Sequence, residues 1–274
     1  MRIKLVRKLT KSLFFIYVTL SLCSCTSQEQ RDYSSAQSET KKGHFRIALN
    51  HYEKVIKRNK SEELVVASLK EAARIAEFEI KDAKRAIEFY KQLVSKSPDH
   101  QERVFAQRQI ADLTFNNLQN YEESVTELSK LISFLENNDD KNDTRLNLAR
   151  SYFYLNNQYQ ALSEIDYLLK QNITEELRFS ALQLKGNIFL ADKKFLEAIS
   201  VFTELTEENP EKAFQEKIGL TLAVCYEEAL DYKNAIKTLE SYLDRYQPRE
   251  YIELRIKRLL ERQKNAPGAR GYRM

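Results

Sequence analysis

The chain has 274 residues, with only 5 glycines, 4 prolines and no tryptophan. Sandwiches, barrels and glycine-looped nucleotide folds need many tight turns, so this scarcity of turn-forming residues argues against all three. Hydrophobic residues make up 42% of the chain, which is enough for a core and argues against disorder. The net charge of +4 comes from the two ends, while the body between residues 25 and 244 is acidic on balance. Nucleic acid is therefore a poor candidate partner.

The N-terminal segment has the pattern of an export signal. Its basic residues end at Lys11, and the eleven residues 12–22 (SLFFIYVTLSL) are uncharged and mostly apolar. A membrane-spanning helix needs roughly 20 apolar residues, so this run is too short to be one. A basic stretch followed by a short apolar run is typical of a secretory signal, which is excluded from the fold.

The residues that follow, Leu22-Cys23-Ser24-Cys25, resemble the lipobox of bacterial lipoproteins. The resemblance implies that residues 1–24 are a signal peptide and that Cys25 becomes the acylated (palmitate-bearing) N-terminus of an exported, membrane-anchored protein. Thr26 follows the cysteine, and by the enterobacterial sorting pattern this implies the periplasmic face of the outer membrane. Two alternatives remain open: an ordinary signal peptide with incidental cysteines, and acylation at Cys23.

Cysteine and histidine usage argues against thiol chemistry. Only Cys25 and Cys225 remain after cleavage, and a lipidated Cys25 leaves no partner for an intramolecular disulfide. Cys225 lies in an apolar stretch and is predicted to be a buried small hydrophobe. The three histidines are far from it in sequence, so no nucleophile–base pair is expected.

The body of the chain is an internal repeat. Six segments each contain a small residue followed four positions later by an apolar one, and the small residues are 37 or 38 positions apart. Another small residue precedes each of them by twelve or thirteen positions. These pairs of small residues are Ala36/Ala48, Ala73/Ala86, Ala111/Ser124, Ala149/Ala161, Gly186/Ala198 and Ala223/Ala235. Small residues at matched places on two helices allow close backbone approach, so each segment is predicted to be a helix–turn–helix unit. In the second and third units we place the one extra residue in the turn between the helices.

This pattern resembles the tetratricopeptide repeat over about residues 30–247. The fifth unit matches the consensus kinds of residue best, at Leu182, Gly186, Phe189, Ala198, Phe202 and Pro210. The resemblance implies an all-α, right-handed superhelical solenoid of six tetratricopeptide-like helix pairs, over residues 33–247. A repeat that cannot bury its own apolar face needs neighbours and a cap.

The segments around the repeats are predicted as follows. Residues 25–32 form the lipidated N-terminus and a tether. Residues 248–264 form a capping helix, with Ile252, Ile256, Leu259 and Leu260 on its apolar stripe. Residues 265–274 form a flexible tail.

The resemblance also implies a binding face. In the tetratricopeptide family, ligands usually lie along the concave groove built by the first helices. The charged and polar residues at the corresponding positions are Arg74, Arg108, Asp112, Arg150, Asn187 and Glu227. A guanidinium group donates in a planar fork that suits carboxylates, so the arginines favour an acidic segment or a chain terminus. The alternative is an ordinary solvated helix face.

Candidate chemistry is otherwise thin. The sequence has no glycine-rich phosphate loop and no paired-cysteine metal site. The acidic run at residues 139–143 lacks the glycine and glutamate of a calcium loop, and is predicted to be a solvated linker. His44 and His51 have no evident carboxylate partners, so a metal there is not expected. We expect no catalytic residue, metal, cofactor or small-molecule substrate, and hence no enzyme.

The resulting prediction is a protein–protein interaction scaffold of the bacterial envelope. The architecture resembles that of the BamD-like outer-membrane assembly lipoproteins, although the first unit lacks their tyrosine–proline step and there are six units instead of five. Two alternatives remain: a pilotin-like lipoprotein that assists secretin assembly, and a regulatory partner of a cell-wall enzyme. In each case the partner is a protein, with the membrane reached through the N-terminal lipid.

Overall fold

The computed structural model describes residues 27–265, and within that range the chain is helical, with no strand. The fourteen α-helices of this range are α1 (Gln28–Lys41), α2 (Phe45–Arg58), α3 (Glu62–Arg74), α4 (Ala83–Lys96), α5 (His100–Asp112), α6 (Tyr121–Phe134), α7 (Asn138–Tyr154), α8 (Gln158–Leu169), α9 (Glu175–Ala191), α10 (Phe195–Glu208), α11 (Pro210–Gln215), α12 (Ile218–Glu228), α13 (Tyr232–Glu240) and α14 (Arg249–Asn265). The expected all-helical fold built from helix pairs is confirmed. Within the described range no helix is both long and apolar enough to cross a bilayer. The predicted signal peptide, Cys25 and all but one residue of the tail lie outside this range.

The chain divides into two compact units, Met1–Leu118 and Gln119–Met274. The first contains α1 to α5, and its core centres on buried side chains such as Leu49, Leu69 and Tyr90. The second contains α6 to α14, with successive hydrophobic clusters along the chain. The division falls between the two helices of the predicted third pair.

Small residues let the helices of a pair approach closely. Ala48 and Ala86 are completely buried where α2 and α4 pack on α1 and α3. Gly186 on α9 faces Phe202 on α10, and a Cβ atom at Gly186 would lie 2.6 Å from the phenylalanine ring. Phe202 is itself fully buried, so this close approach is part of the core of the second unit.

Each turn that joins the helices of a pair contains one residue in the left-handed region. Their φ angles lie between 50° and 77°, which reverses the chain at the end of the first helix. These residues are Gly43, Lys81, Gln119, Asn156, Lys193 and Leu230. Five of the six are not glycine, although glycine is the residue that adopts a positive φ angle most easily.

The extra residue of the second and third pairs lies in a different place from the one predicted. In both pairs the first helix ends in a π-helical segment, Ile75–Ile80 after α3 and Leu113–Asn117 after α5. A π turn is an α-helix with one residue inserted, so the helix itself absorbs the insertion and the turn keeps its length. The prediction that the inter-helix turn is longer is therefore wrong.

The C-terminal capping helix is present as α14. Ile252 and Leu259 are buried against the α12–α13 pair, in a cluster that includes Ala235. Leu260 is 41% exposed and does not belong to the apolar stripe as predicted, because the helix turns it away from Leu259.

The first helix begins inside the segment predicted to be a tether. The Ser27 hydroxyl accepts a hydrogen bond from the Gln30 N–H at 3.1 Å and caps α1, which starts at Gln28. Glu29 and Asp32 are buried, and Glu29 accepts a hydrogen bond from the Lys60 N–H at 3.1 Å. Residues 28–32 are thus part of the first helix pair.

Candidate protein-binding site

Arg74 ends α3, and its charge is already neutralised within the first unit. Its guanidinium donates to Glu71 at 3.1 Å and to Glu79 at 3.3 Å. The second of these carboxylates belongs to the π segment, which brings it back towards the end of α3. Because two carboxylates already neutralise the charge of this half-exposed arginine, it attracts an anionic partner only weakly.

Arg108 and Asp112 lie one turn apart on α5, also in the first unit. Burial raises the pKa of the Asp112 carboxyl, and the nearby charge of Arg108 lowers it in opposition. The structure therefore places the guanidinium group of Arg108 and the carboxyl group of Asp112 next to each other on one face of α5.

Arg150, on α7 of the second unit, differs from the other two arginines. It is half-buried, and its guanidinium donates to the Asn147 side-chain oxygen at 2.9 Å. Across residues 27–265, no carboxylate forms an ion pair with it. Burial lowers its pKa, because the charged form is partly desolvated. A half-buried cation without a counter-charge is the arrangement that a partner's carboxylate would complete.

An aromatic stack lies beside Arg150. The ring of Tyr154, one turn along α7, stacks on Tyr121 of α6 with centroids 4.6 Å apart. Tyr154 is 56% exposed, so the stack presents a ring face to solvent. Neither tyrosine is among the residues predicted from the sequence to line the binding face. The signal was present, since one aromatic ends a first helix and the other begins a second helix.

Asn187 and Glu227 complete the set of predicted residues. Asn187 is half-buried on α9. Glu227 on α12 is covered by the capping helix, where it pairs with Arg255 at 3.6 Å and also contacts Arg262. These two ion pairs connect the last turn of α12 to the capping helix.

The remaining candidates for chemistry differ from expectation in two places. The Nδ1 of His44 donates to the Glu39 carboxylate at 2.7 Å, so this histidine does have a carboxylate partner. His51 Nδ1 lies 3.5 Å from the Asp32 carboxylate, without a hydrogen bond to it. The run at residues 139–143 is the start of α7, capped by Asn137, and the prediction of a linker is wrong.

Cys225 is buried as predicted, and burial raises its pKa to about 11, which keeps the thiol protonated. Among residues 27–265 no group of three or more His, Cys, Asp or Glu side chains is placed to hold a metal ion.

Comparison with known families agrees with the geometry of the helix pairs. Two family models match the chain, and both are described as tetratricopeptide repeat. The first matches residues 33–100 and 146–213, and the second matches residues 219–247, together more than half of the chain. The chain belongs to the tetratricopeptide-repeat family. The unmatched stretch between residues 100 and 146 contains α6 and nearly all of α5.

Solved structures with the same fold include several tetratricopeptide-repeat proteins. One from Parabacteroides merdae has a TM-score of 0.54 at 16% identity, covering 89% of this chain and 94% of that one. YrrB, described as having an unusual peptide-binding site, has a TM-score of 0.52 at 20% identity, covering 76% and 97%. PilW, a type IV pilus biogenesis factor, has a TM-score of 0.53 at 14% identity, covering 84% and 100%. At these identities the likeness is one of fold. No curated protein matches the chain in sequence.

Tetratricopeptide-repeat proteins bind protein partners and peptides, and this chain has a scaffold suited to that role. Its described residues show the repeat's paired helices.

Proposed function

We propose that the protein is an exported, lipid-anchored interaction scaffold at the periplasmic face of the outer membrane, with a role in outer-membrane protein assembly like that of the BamD-like lipoproteins. The helix pairs supply the scaffold. The anchor rests on the basic and apolar segment followed by Leu22-Cys23-Ser24-Cys25. Stable anchoring takes more than one acyl chain, which lipoprotein modification supplies.

The observation that carries the binding role is the state of Arg150. Charged groups are costly to desolvate without a counter-charge, and this one is half-buried with only an amide oxygen as a partner. A carboxylate from a partner would form a bidentate pair with it, and an apolar or aromatic group next to that carboxylate would rest on the exposed ring of Tyr154. The bound segment is therefore an acidic stretch or a chain terminus.

The test is affinity purification from membranes, comparing the unaltered chain with Arg150→Ala. A specific envelope protein should co-purify with the unaltered chain and be reduced at least about tenfold with the variant, since a desolvated charged hydrogen bond contributes about 1.5–3 kcal/mol. Arg178→Ala is the matched control. Arg178 lies on α9 of the same unit and is already paired with Glu204 at 2.7 Å. Equal recovery with both variants would move the contact away from Arg150.

A Cys25→Ala variant tests the anchor separately. Loss of processing and of membrane association supports lipidation at Cys25. A variant that is processed and stays on the membrane would contradict it.

Two other partners fit the same scaffold. PilW is a pilus biogenesis factor with this fold, which makes a pilotin-like role in secretin assembly the second candidate. A regulatory partner of a cell-wall enzyme is the third. The identity of the co-purified protein decides among the three.

A further inference from the structure

A groove in the first unit lies beside the first turns of α3 and α5, at a distance along α3 from the predicted arginines. Its volume is about 670 Å³, and its apolar floor is formed by Val66, Ala67 and Pro98. A groove of this volume is large enough for the apolar side chains of a short segment of a partner.

The rim of this groove is acidic and largely without counter-charge. Glu62 and Glu63 are exposed on the first turn of α3, and neither has a cationic partner among residues 27–265. The Asp99 carboxylate accepts a hydrogen bond from the Gln101 N–H at 2.8 Å, and it too has no ion pair in that range. The N-terminal ends of the two helices offset part of this charge, each by about half an elementary charge, so the rim stays negative.

The single lysine in the groove is already committed. Lys70 donates to Glu102 at 2.6 Å, and the Ser97 hydroxyl donates to the same carboxyl group at 2.7 Å. These two hydrogen bonds hold Glu102 in place, and the ion pair neutralises the positive charge of Lys70, so Lys70 does not attract an anion. An anionic partner would therefore meet three unneutralised carboxylates.

The geometry points to a second docking site, one that takes a basic, apolar segment of a protein partner. Its apolar side chain would cover Val66 and Ala67, and flanking lysine or arginine side chains would pair with Glu62, Glu63 and Asp99. The inference rests on the proposed role as a protein-binding scaffold. It assigns the first unit a charge preference opposite to that of Arg150 in the second unit.

The absence of tryptophan from the chain provides a clean readout. The probe is the peptide acetyl-Lys-Trp-Leu-Leu-Lys-amide, with acetyl-Glu-Trp-Leu-Leu-Glu-amide as its charge-reversed partner. Peptide fluorescence anisotropy reports binding to the purified full chain. The lysine peptide should bind at least about tenfold more tightly than the glutamate peptide, and added salt should reduce the difference.

Three variants locate the binding. Glu62→Gln with Glu63→Gln should weaken the lysine peptide about three- to tenfold, because each exposed charge contributes modestly to binding. Glu175→Gln with Glu176→Gln removes the same charges from the first turn of α9, and should leave binding unchanged. Ala67→Gln fills the floor and should weaken the lysine peptide at least about threefold.

Several outcomes would overturn this site. They are equal binding of the two peptides, indifference to the Glu62/Glu63 double variant, and self-association of the chain that the same double variant abolishes. A partner could also co-purify from membranes with the Glu62/Glu63 double variant but not with Arg150→Ala. That result would support the proposed function and contradict only the docking site in this groove.

Discussion

The phenol oxygen of Tyr242 accepts a hydrogen bond from the backbone N–H of Gly219 at 3.1 Å. Gly219 is the second residue of α12, so its N–H is one of those that no residue of the helix itself can accept. Lys217, at the N-cap, supplies no side-chain hydrogen bond. The ring lies so close that a Cβ atom on Gly219 would be 2.5 Å from it. One tyrosine from beyond α13 thus serves as the cap of α12.

Removing that cap is expected to destabilise the second unit. Tyr242→Phe leaves the buried Gly219 N–H without an acceptor and should lower the free energy of unfolding by about 1–3 kcal/mol. Gly219→Ala forces the ring away and should cost about 1–3 kcal/mol. The measurement is urea denaturation. The double variant Gly219→Ala, Tyr242→Ala should cost less than the sum of Gly219→Ala and Tyr242→Ala measured singly, because the clash is gone once the ring is removed. Strict additivity would mean that the two residues do not interact.

The turn residue Leu230 should be improved by glycine. Its φ is 61° and it is 69% exposed, so the side chain adds strain and little packing. Leu230→Gly should raise the free energy of unfolding by up to about 1 kcal/mol. The neighbouring Ala229, at φ −76°, is the matched control, and Ala229→Gly should be destabilising. A stabilising Ala229→Gly would refute the conformational explanation.

The π segments should tolerate loss of a residue. Deleting the exposed Asn116 should convert Leu113–Asn117 to ordinary α-helix and leave a folded protein with nearly unchanged helicity. Deleting Ala191, at the equivalent place on α9, should shorten a helix that has no surplus residue and cause a large drop in melting temperature. Circular dichroism during heating measures both. Similar losses in the two deletions would show that the π turn is not an insertion.

Arg150 is expected to contribute to binding and not to stability. Arg150→Met removes a half-buried charge that has no ion pair in the described range while it keeps an apolar stem in place. The free energy of unfolding should stay the same or rise by up to about 1 kcal/mol. Arg145 on the same helix pairs with Glu164 at 2.6 Å, and Arg145→Met should be destabilising. If Arg150→Met also unfolds the protein, the arginine is structural.

Glu102 should give the first unit an acid-sensitive contribution. Hydrogen bonds from Lys70 and then from Ser97 lower the pKa of its carboxyl below the usual 4.5. A carboxyl whose pKa is lower in the folded state stabilises the fold above the unfolded-state pKa. That contribution is lost as the pH falls through the folded-state pKa. Unfolding of Glu102→Gln should therefore differ from the unaltered chain at about pH 6 and converge with it near about pH 3. A constant difference at both pH values would contradict the linkage.

The helix pairs could be predicted because close approach of two helices requires small residues, and these recur at a regular spacing in the sequence. Gly186 and Phe202 form such a contact, and the fifth unit is accordingly the clearest in sequence. The extra residue of the second and third pairs was visible as a spacing of thirteen. Spacing alone does not say whether a turn lengthens or a helix takes up a π turn.

The stretch from α5 to α7 is hard to recognise in sequence because many of its buried side chains are polar. Ser124 on α6 and Ser151 on α7 are fully buried and share a hydrogen bond at 3.0 Å. Ser124 stands where each of the other five units has alanine. Most of the buried polar side chains of the described range lie in this stretch. They are Gln107, Thr114, Ser124, Glu127, Asn142, Thr144 and Ser151. The family models leave residues 101–145, most of this stretch, unmatched.

The electrostatic state of the candidate residues could not be predicted from the sequence. Arg74 and Arg150 each directly follow the small residue of their helix, yet only the structure shows that two glutamates hold Arg74 and that Arg150 has an amide alone. The ion pairs of Glu227 could not be predicted because its partners, Arg255 and Arg262, are about 30 residues further along the chain. Pairing of that kind depends on tertiary packing.

Within each unit a helix packs mainly on the next helix along the chain, as α1 does on α2 and α9 on α10. A pulling force applied to the two ends of such a unit would meet these contacts in series. The terminal helix would detach first, and each remaining helix would then become the new end. Under tension each unit should consequently lengthen in small successive steps, one helix at a time, and should not unfold in a single event.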